Sequence, residues 1–182
     1  MFLYCAQGIT ARSQARDLLA LAAEEVWGLS PLPEIAQRKG GKPFFPEHED
    51  LHFNLSHSGS LALCALDRAP VGVDIQVVKQ WRPALPRRVC SEAELEWLER
   101  QTSLWPAFTL LWALKESRAK ESGQGLTSSI RGIRVPFPAE GPVQMDGLWF
   151  HTYTGYGWAA AVCGHSKPPE KMLEKPLDIP TV

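Results

Sequence analysis

Residues 51–78 read LHFNLSHSGSLALCALDRAPVGVDIQVV, and three strands are legible in them. HFNLSHS and LALCAL are short β-rich runs that meet near Ser58-Gly59-Ser60, and the turn DRAP delivers the chain into VGVDIQVV. In that last run, alternation sends Gly72, Asp74 and Gln76 to one face and Val71, Val73, Ile75 and Val77 to the other. One face therefore combines a carboxylate, an amide and a gap. Taken alone, this is a solvated sheet face with an ordinary aspartate, and the flanking sequence has to decide whether it is more.

Upstream, a helix is expected from about Thr10, as N-cap, to Trp27, with Gly28 stopping it and Leu18, Leu21, Ala22 and Val26 on its buried side. A Pro- and Gly-rich loop follows, with one short strand at most. Downstream, the connector KQWRPALPRRV leads to Ser91, whose partner Glu94 three residues on makes a capping box for EAELEWLER. A further helix is expected from near Pro106 to Gly123. Then IRGIRVPF, LWFHTYTG and GWAAAVCG read as strands, the last two as a hairpin. Helix then strands, followed by helices then strands, gives an α+β (α/β) fold class of two similar lobes, each a small, mostly antiparallel sheet packed on helices. No sequence repeat supports the symmetry directly. The lobes are assigned to residues 1–69 and 70–166, and the polar, Pro-rich stretch 167–182 is expected to be a flexible tail.

With 182 residues, 45% hydrophobic content and seven tryptophans, the chain can bury one sizeable core or two small ones. Lys and Arg number 19 against 20 Asp and Glu, so nothing global draws it to nucleic acid or to a membrane surface, and any anion binding is local. Cys5, Cys64, Cys90 and Cys163 form no Cys-x-x-Cys pair and sit among apolar neighbours, as reduced core residues do. No apolar run approaches the roughly 18 residues that cross a bilayer, and a cytoplasmic, monomeric protein is expected.

The helix after Pro106 carries the chemistry. On a wheel of about 100 degrees per residue, Leu104, Phe108, Leu111, Trp112 and Ala119 form an apolar stripe. Glu116 and Lys120, one turn apart at its edge, are accounted for by a surface ion pair. Lys115 falls inside the stripe, where an ammonium has to snorkel out or meet an anion. Two lysines and a glutamate along one edge point to a phosphate and a metal. Ser56 and His57 do not form a hydrolase dyad, because neighbours on a strand face opposite ways. Lys42, after two glycines and before Pro43, has a flexible approach to a phosphate, though an ordinary turn accounts for it equally. His48, His52, His151 and His165 have no metal-ligand spacing.

These residues match a known pattern. WALKESRAKESGQGL resembles the W-x-x-K-E-x-x-x-K-x-x-G-x-G-L signature of 4′-phosphopantetheinyl transferases of the surfactin-synthetase-activating type, here as a short variant. GVDIQ is similar to that family's G-x-D-x-E element, HFNLSHSG to its F-N-x-S-H-x-G element, and GGKPFF to its G-K-P element, in the right order from Gly40 to Leu126. The resemblance implies a pseudo-dimer with coenzyme A and Mg²⁺ in the cleft between lobes. It implies Mg²⁺-dependent transfer of the 4′-phosphopantetheine arm to a serine of an acyl or peptidyl carrier protein, that is, holo-[acyl-carrier-protein] synthase activity releasing adenosine 3′,5′-bisphosphate.

The roles it implies are Asp74 and Glu116 on Mg²⁺, Glu116 or a metal-bound water as base, and Lys120 beside the pyrophosphate. Lys42, Pro43, Ser56, His57 and Lys115 would contact coenzyme A. The sequence departs from the pattern twice. Few residues precede the first helix, so Arg12 and Arg16 stand in for the basic residues that grip the 3′-phosphate. Gln76 replaces a third acidic ligand, and is expected to bind the ion through its amide oxygen or through water. A coenzyme A or carrier-binding protein without transfer activity is the alternative, and a metal-dependent phosphohydrolase is a third reading.

Overall fold

The computed structural model describes residues 1–123 and 130–177. The end of the helix signature, Gln124-Gly125-Leu126, and the last five residues of the expected tail lie outside the described residues. The elements are β1 (Phe2–Gln7), α1 (Gln14–Trp27), β2 (Ala36–Gln37), β3 (Pro43–Phe44), β4 (His52–Ser58), β5 (Leu61–Asp67), β6 (Val71–Val77), α2 (Leu85–Val89), α3 (Glu92–Glu99), α4 (Leu104–Ser122), β7 (Val143–Met145), β8 (Leu148–Gly155), β9 (Trp158–Gly164) and β10 (Leu173–Glu174). The result is α+β. One four-stranded sheet runs β10-β1-β5-β4, a second runs β6-β9-β8-β7, and only the β1–β10 pair is parallel.

The layers follow from strand alternation. Tyr4, Cys64, Leu66 and Phe53 on one face of the first sheet pack with Leu18, Leu19 and Ala22 of α1. Its other face, with Leu3, Leu63 and Ala65, meets Val71, Val73, Ile75 and Val162 of the second sheet. The far face of the second sheet, with Phe150, Ala161 and Cys163, is covered by Ala113 and Leu114 of α4. All four cysteines are buried and unpaired. No helix among the described residues is long and apolar enough to cross a membrane.

Several boundaries differ from expectation for identifiable reasons. The first helix starts at Gln14, not Thr10, because the Gln14 side-chain oxygen accepts from the Thr10 and Ala11 backbone N–H groups and holds those residues in a turn. Its end is as expected, with Gly28 left-handed at φ 68°. The connector before Ser91 contains the short helix α2, and the capping box of Ser91 and Glu94 is present at the start of α3. IRGIRVPF is not a strand. It opens with a 3₁₀ turn at Ile130–Gly132, and the carbonyls of Ile130, Arg131 and Ile133 turn inward to the Lys115 ammonium instead of to a strand partner. The stretch 167–177 is not a free tail. β10 pairs with β1, the Lys175 ammonium reaches Glu25 at 2.7 Å, and the Tyr153 hydroxyl donates to the Pro169 carbonyl at 2.5 Å.

The gap at Gly72 in the VGVDIQVV face is filled by α4. A β-carbon there would lie 2.0 Å from the Ser117 carbonyl oxygen and 2.3 Å from the Glu121 nitrogen, so only glycine lets the helix backbone rest on β6. Gly72→Ala is expected to destabilise the chain by about 1–3 kcal/mol or more, since backbone is what must move. A lower urea midpoint with an unchanged slope would show this, and an unchanged midpoint would refute the packing argument.

Candidate active site

Because the Ser117–Glu121 turn of α4 lies against Gly72, the next residue on that face of β6, Asp74, meets the side chains at the edge of that turn. Glu116 and Lys120 are at that edge. Asp74 is 2% exposed and Glu116 9%, so both carboxylates are out of bulk water. The third contributor is β4, the outer strand of the first sheet. It runs beside β6 without pairing to it through backbone. Instead Asn54 Oδ1, Ser56 Oγ and Ser58 Oγ accept from the N–H groups of Val73, Ile75 and Val77 at 2.8, 3.2 and 3.0 Å. Three side chains spaced by two residues thus replace a strand's carbonyls.

At the middle of this seam the bonds converge on Asp74. Its Oδ1 accepts from Ser56 Oγ at 2.8 Å and from Lys120 Nζ at 2.7 Å. Its Oδ2 accepts from Gln76 Nε2 at 2.9 Å, and since a carboxylate only accepts, the amide has to present its nitrogen. Lys120 Nζ also donates to Ser56 Oγ and to the Val73 carbonyl, both at 3.1 Å.

The Glu116 carboxylate accepts a hydrogen bond from none of the described residues. Burial, then the neighbouring Asp74 charge, push its pKa up, and Lys120 offsets this in part. These groups line a cavity of about 330 Å³ together with His57, Arg12, Trp81, Trp112 and Leu55. Ser56 and His57 do face opposite ways, yet both reach the cavity because it wraps the unpaired edge of β4. His57 is exposed, and partial burial with the charges of Arg12 and Lys120 holds its pKa below the usual histidine range.

Of the ten residues singled out in the sequence besides Arg12, six converge here: Ser56, His57, Asp74, Gln76, Glu116 and Lys120. The other four do not. Lys115 is fully buried, 3.0 Å from Glu94 Oε2, with its remaining bonds on backbone carbonyls. The anion it meets belongs to this chain, so its expected contact with coenzyme A is corrected. Lys42 donates to the carbonyls of Val71 and Glu121 at 3.0 and 2.7 Å, where it caps the end of α4, and desolvation lowers its pKa. With Pro43 it borders a separate cavity of about 270 Å³, shared with Arg38, His52 and Gly123.

Arg16 is exposed on α1 and does not line the main cavity, whereas Arg12, in the turn ahead of the helix, does. Trp81 and Trp112 were not read as site residues. They stack with centroids 5.7 Å apart, and Trp81 Nε1 donates to Thr109 Oγ1 at 3.4 Å. The opening tryptophan of the helix signature was the available signal for Trp112. Nothing in the sequence pairs it with Trp81.

Among the described residues no three His, Cys, Asp or Glu side chains gather as a metal site. The donor set nevertheless suits a hard divalent cation that retains water and substrate ligands. Glu116 has both oxygens unbonded, Asp74 Oδ2 has one lone pair open, and Gln76 has its amide oxygen turned away from Asp74.

Comparison with known proteins then decides the family. The model of the 4′-phosphopantetheinyl transferase superfamily matches residues 70–165, more than half of the chain. The chain belongs to the 4′-phosphopantetheinyl transferase superfamily. It is 33% identical over 135 residues to a 4′-phosphopantetheinyl transferase of Bacillus subtilis, covering 71% of this chain and 59% of that protein. Identity is 34% over 143 residues with the 4′-phosphopantetheinyl transferase Sfp of Bacillus subtilis strain 168, covering 71% and 62% respectively. It is 42% over 102 residues with the 4′-phosphopantetheinyl transferase AcpT of Salmonella typhimurium, covering 52% of each chain. This superfamily member thus spans between half and three fifths of the length of these relatives.

Two outcomes test the placement of the charges. Glu116 binds its proton more tightly folded than unfolded, so its ionisation costs stability as pH rises through the raised pKa. Glu116→Gln is therefore expected to melt a few degrees higher than wild type near neutral pH. The gain should shrink as pH falls and vanish below the ordinary glutamate value of 4.5, where the wild-type group becomes neutral in both states. A constant difference across that range would refute it. Lys115→Met, which strands Glu94, is expected to cost about 3–5 kcal/mol in a denaturant titration, and a loss below 1 kcal/mol would put the ammonium outside the core.

Proposed function

We propose that the chain transfers the 4′-phosphopantetheine arm of coenzyme A to a serine hydroxyl of an acyl or peptidyl carrier protein, releasing adenosine 3′,5′-bisphosphate. The observation that carries this reading is Glu116: a buried carboxylate bonded by no described donor, facing Asp74 and Lys120 across a cavity, within the residues that match the superfamily.

A serine hydroxyl is a poor nucleophile until a base takes its proton. Glu116, with its pKa raised by burial and by the neighbouring Asp74 charge, is a stronger base than an exposed glutamate. The serine oxygen bonds to phosphorus, the phosphorus–oxygen bond to the bisphosphate breaks, and the proton passes to Glu116. Lys120 and Arg12 place positive charge where the leaving bisphosphate gathers negative charge. Bound Mg²⁺, with Asp74, Glu116 and the Gln76 amide oxygen as its protein ligands, would supply further neutralisation at the pyrophosphate. Trp81, Trp112 and Leu55 line the other side and disfavour water as a competing nucleophile. Arg12 and His57 are assigned to a coenzyme A phosphate, Arg12 being the one of the two arginines expected there that lines the cavity.

The exposed Arg82, Arg87 and Arg88, on the connector that follows the cavity-lining Trp81, suit an acidic face of the carrier. The setting proposed is the cytoplasm, where four unpaired cysteines stay reduced.

The decisive assay incubates the protein with coenzyme A, Mg²⁺ and a panel of acyl and peptidyl carriers, and follows intact mass. A gain of one phosphopantetheine arm is expected, and Glu116→Gln should slow it about 100-fold or more. Carriers that all stay unmodified by folded protein would sink the proposal.

A further inference from the structure

A hydroxyl has one proton to give and two lone pairs to accept with. Ser56 uses all three within the chain. It donates to Asp74 Oδ1 at 2.8 Å, and accepts from the Ile75 N–H at 3.2 Å and from Lys120 Nζ at 3.1 Å. The residue is 7% exposed, so these bonds are largely shielded from bulk water. Its three partners lie on the backbone of β6, a side chain of β6 and a side chain of α4, while Ser56 itself belongs to the other sheet.

We propose that Ser56 is a positioning residue. It fixes the Asp74 carboxylate and the Lys120 ammonium relative to each other and to the first sheet, and it makes no hydrogen bond of its own to substrate. Asn54 and Ser58 make the same kind of bond to Val73 and Val77, but among the described residues neither bonds to a charged group. The seam is thus held at three places, and only its middle bond reaches the site. Without Ser56, Asp74 Oδ1 keeps Lys120 as its one donor among the described residues, and the pair is tied only by Gln76 on Oδ2 and the Val73 carbonyl on Lys120, with no link to the first sheet.

The kinetic part of the test rests on the transfer reading. Ser56→Ala is expected to lower kcat about 10- to 100-fold, the scale of an ångström-sized misplacement, with KM for coenzyme A within about twofold of wild type. Ser56→Thr, which keeps the hydroxyl, should recover most of the loss. Ser58→Ala, which cuts a seam bond away from the site, should lower the melting temperature and leave kcat and KM unchanged. In an Asp74→Asn background, Ser56→Ala should add little, because both act through one carboxylate. A tenfold rise in KM for coenzyme A with kcat preserved would make Ser56 a substrate ligand and overturn the proposal.

A crystal structure of Ser56→Ala separates this from failure of the transfer reading, since it needs no activity. Asp74 and Lys120 should leave their wild-type positions, and finding both in place would overturn the proposal whether or not any carrier is modified.

Discussion

Three backbone N–H groups on the outer edge of β6 have no strand to bond to, and the way they are satisfied governs everything around the cavity. Val73, Ile75 and Val77 donate instead to Asn54, Ser56 and Ser58. An exposed sheet edge is normally a hazard, because it invites another chain to add a strand. Here a second edge lies alongside and covers it with side chains. The two sheets, packed through Leu3, Leu63, Val73 and Val162, therefore also meet along the β4 and β6 edges without merging, and the cavity lies at this seam.

The same arrangement explains how so few charges can be buried together. Asp74, Glu116 and Lys120 amount to two negative charges and one positive in a confined space, which is unfavourable without substrate. Their placement rests on neutral contacts: glycine under the helix, serine and glutamine on the two oxygens of Asp74. Gln76, in the place of the acidic residue that the resemblance would put there, spares the pocket a third negative charge and holds Asp74 by a hydrogen bond.

Most of this fold was legible in the sequence. The alternation in residues 71–77, the Ser91–Glu94 box and the left-handed glycines at the helix ends are local signals, and the structure has each of them. What local signals do not contain is the partner of a polar group. Lys115 and Lys42 read as phosphate ligands because a lysine in an apolar stripe or after two glycines needs an anion or an acceptor. Both find one inside the chain, in Glu94 and in helix-end carbonyls respectively. Gly72 read as a gap in a polar face, and the helix backbone fills it. Trp81 and Trp112 are 31 positions apart, and only tertiary packing stacks them. The motif spacing did place the six residues that converge, because those lie on elements whose facing is set by strand and helix periodicity.

The pairing of β10 with β1 has a consequence for how the chain is made. β1 holds residues 2–7 and β10 residues 173–174, so the first sheet joins segments from opposite ends of the sequence. Pairings of such long separation are the slowest to form, since the loop they close is nearly the whole chain. During synthesis β1 can pair with β5 early, but its other edge stays open until Glu174 has emerged from the ribosome. Among the described residues, the strand made last is thus the one that completes the first sheet.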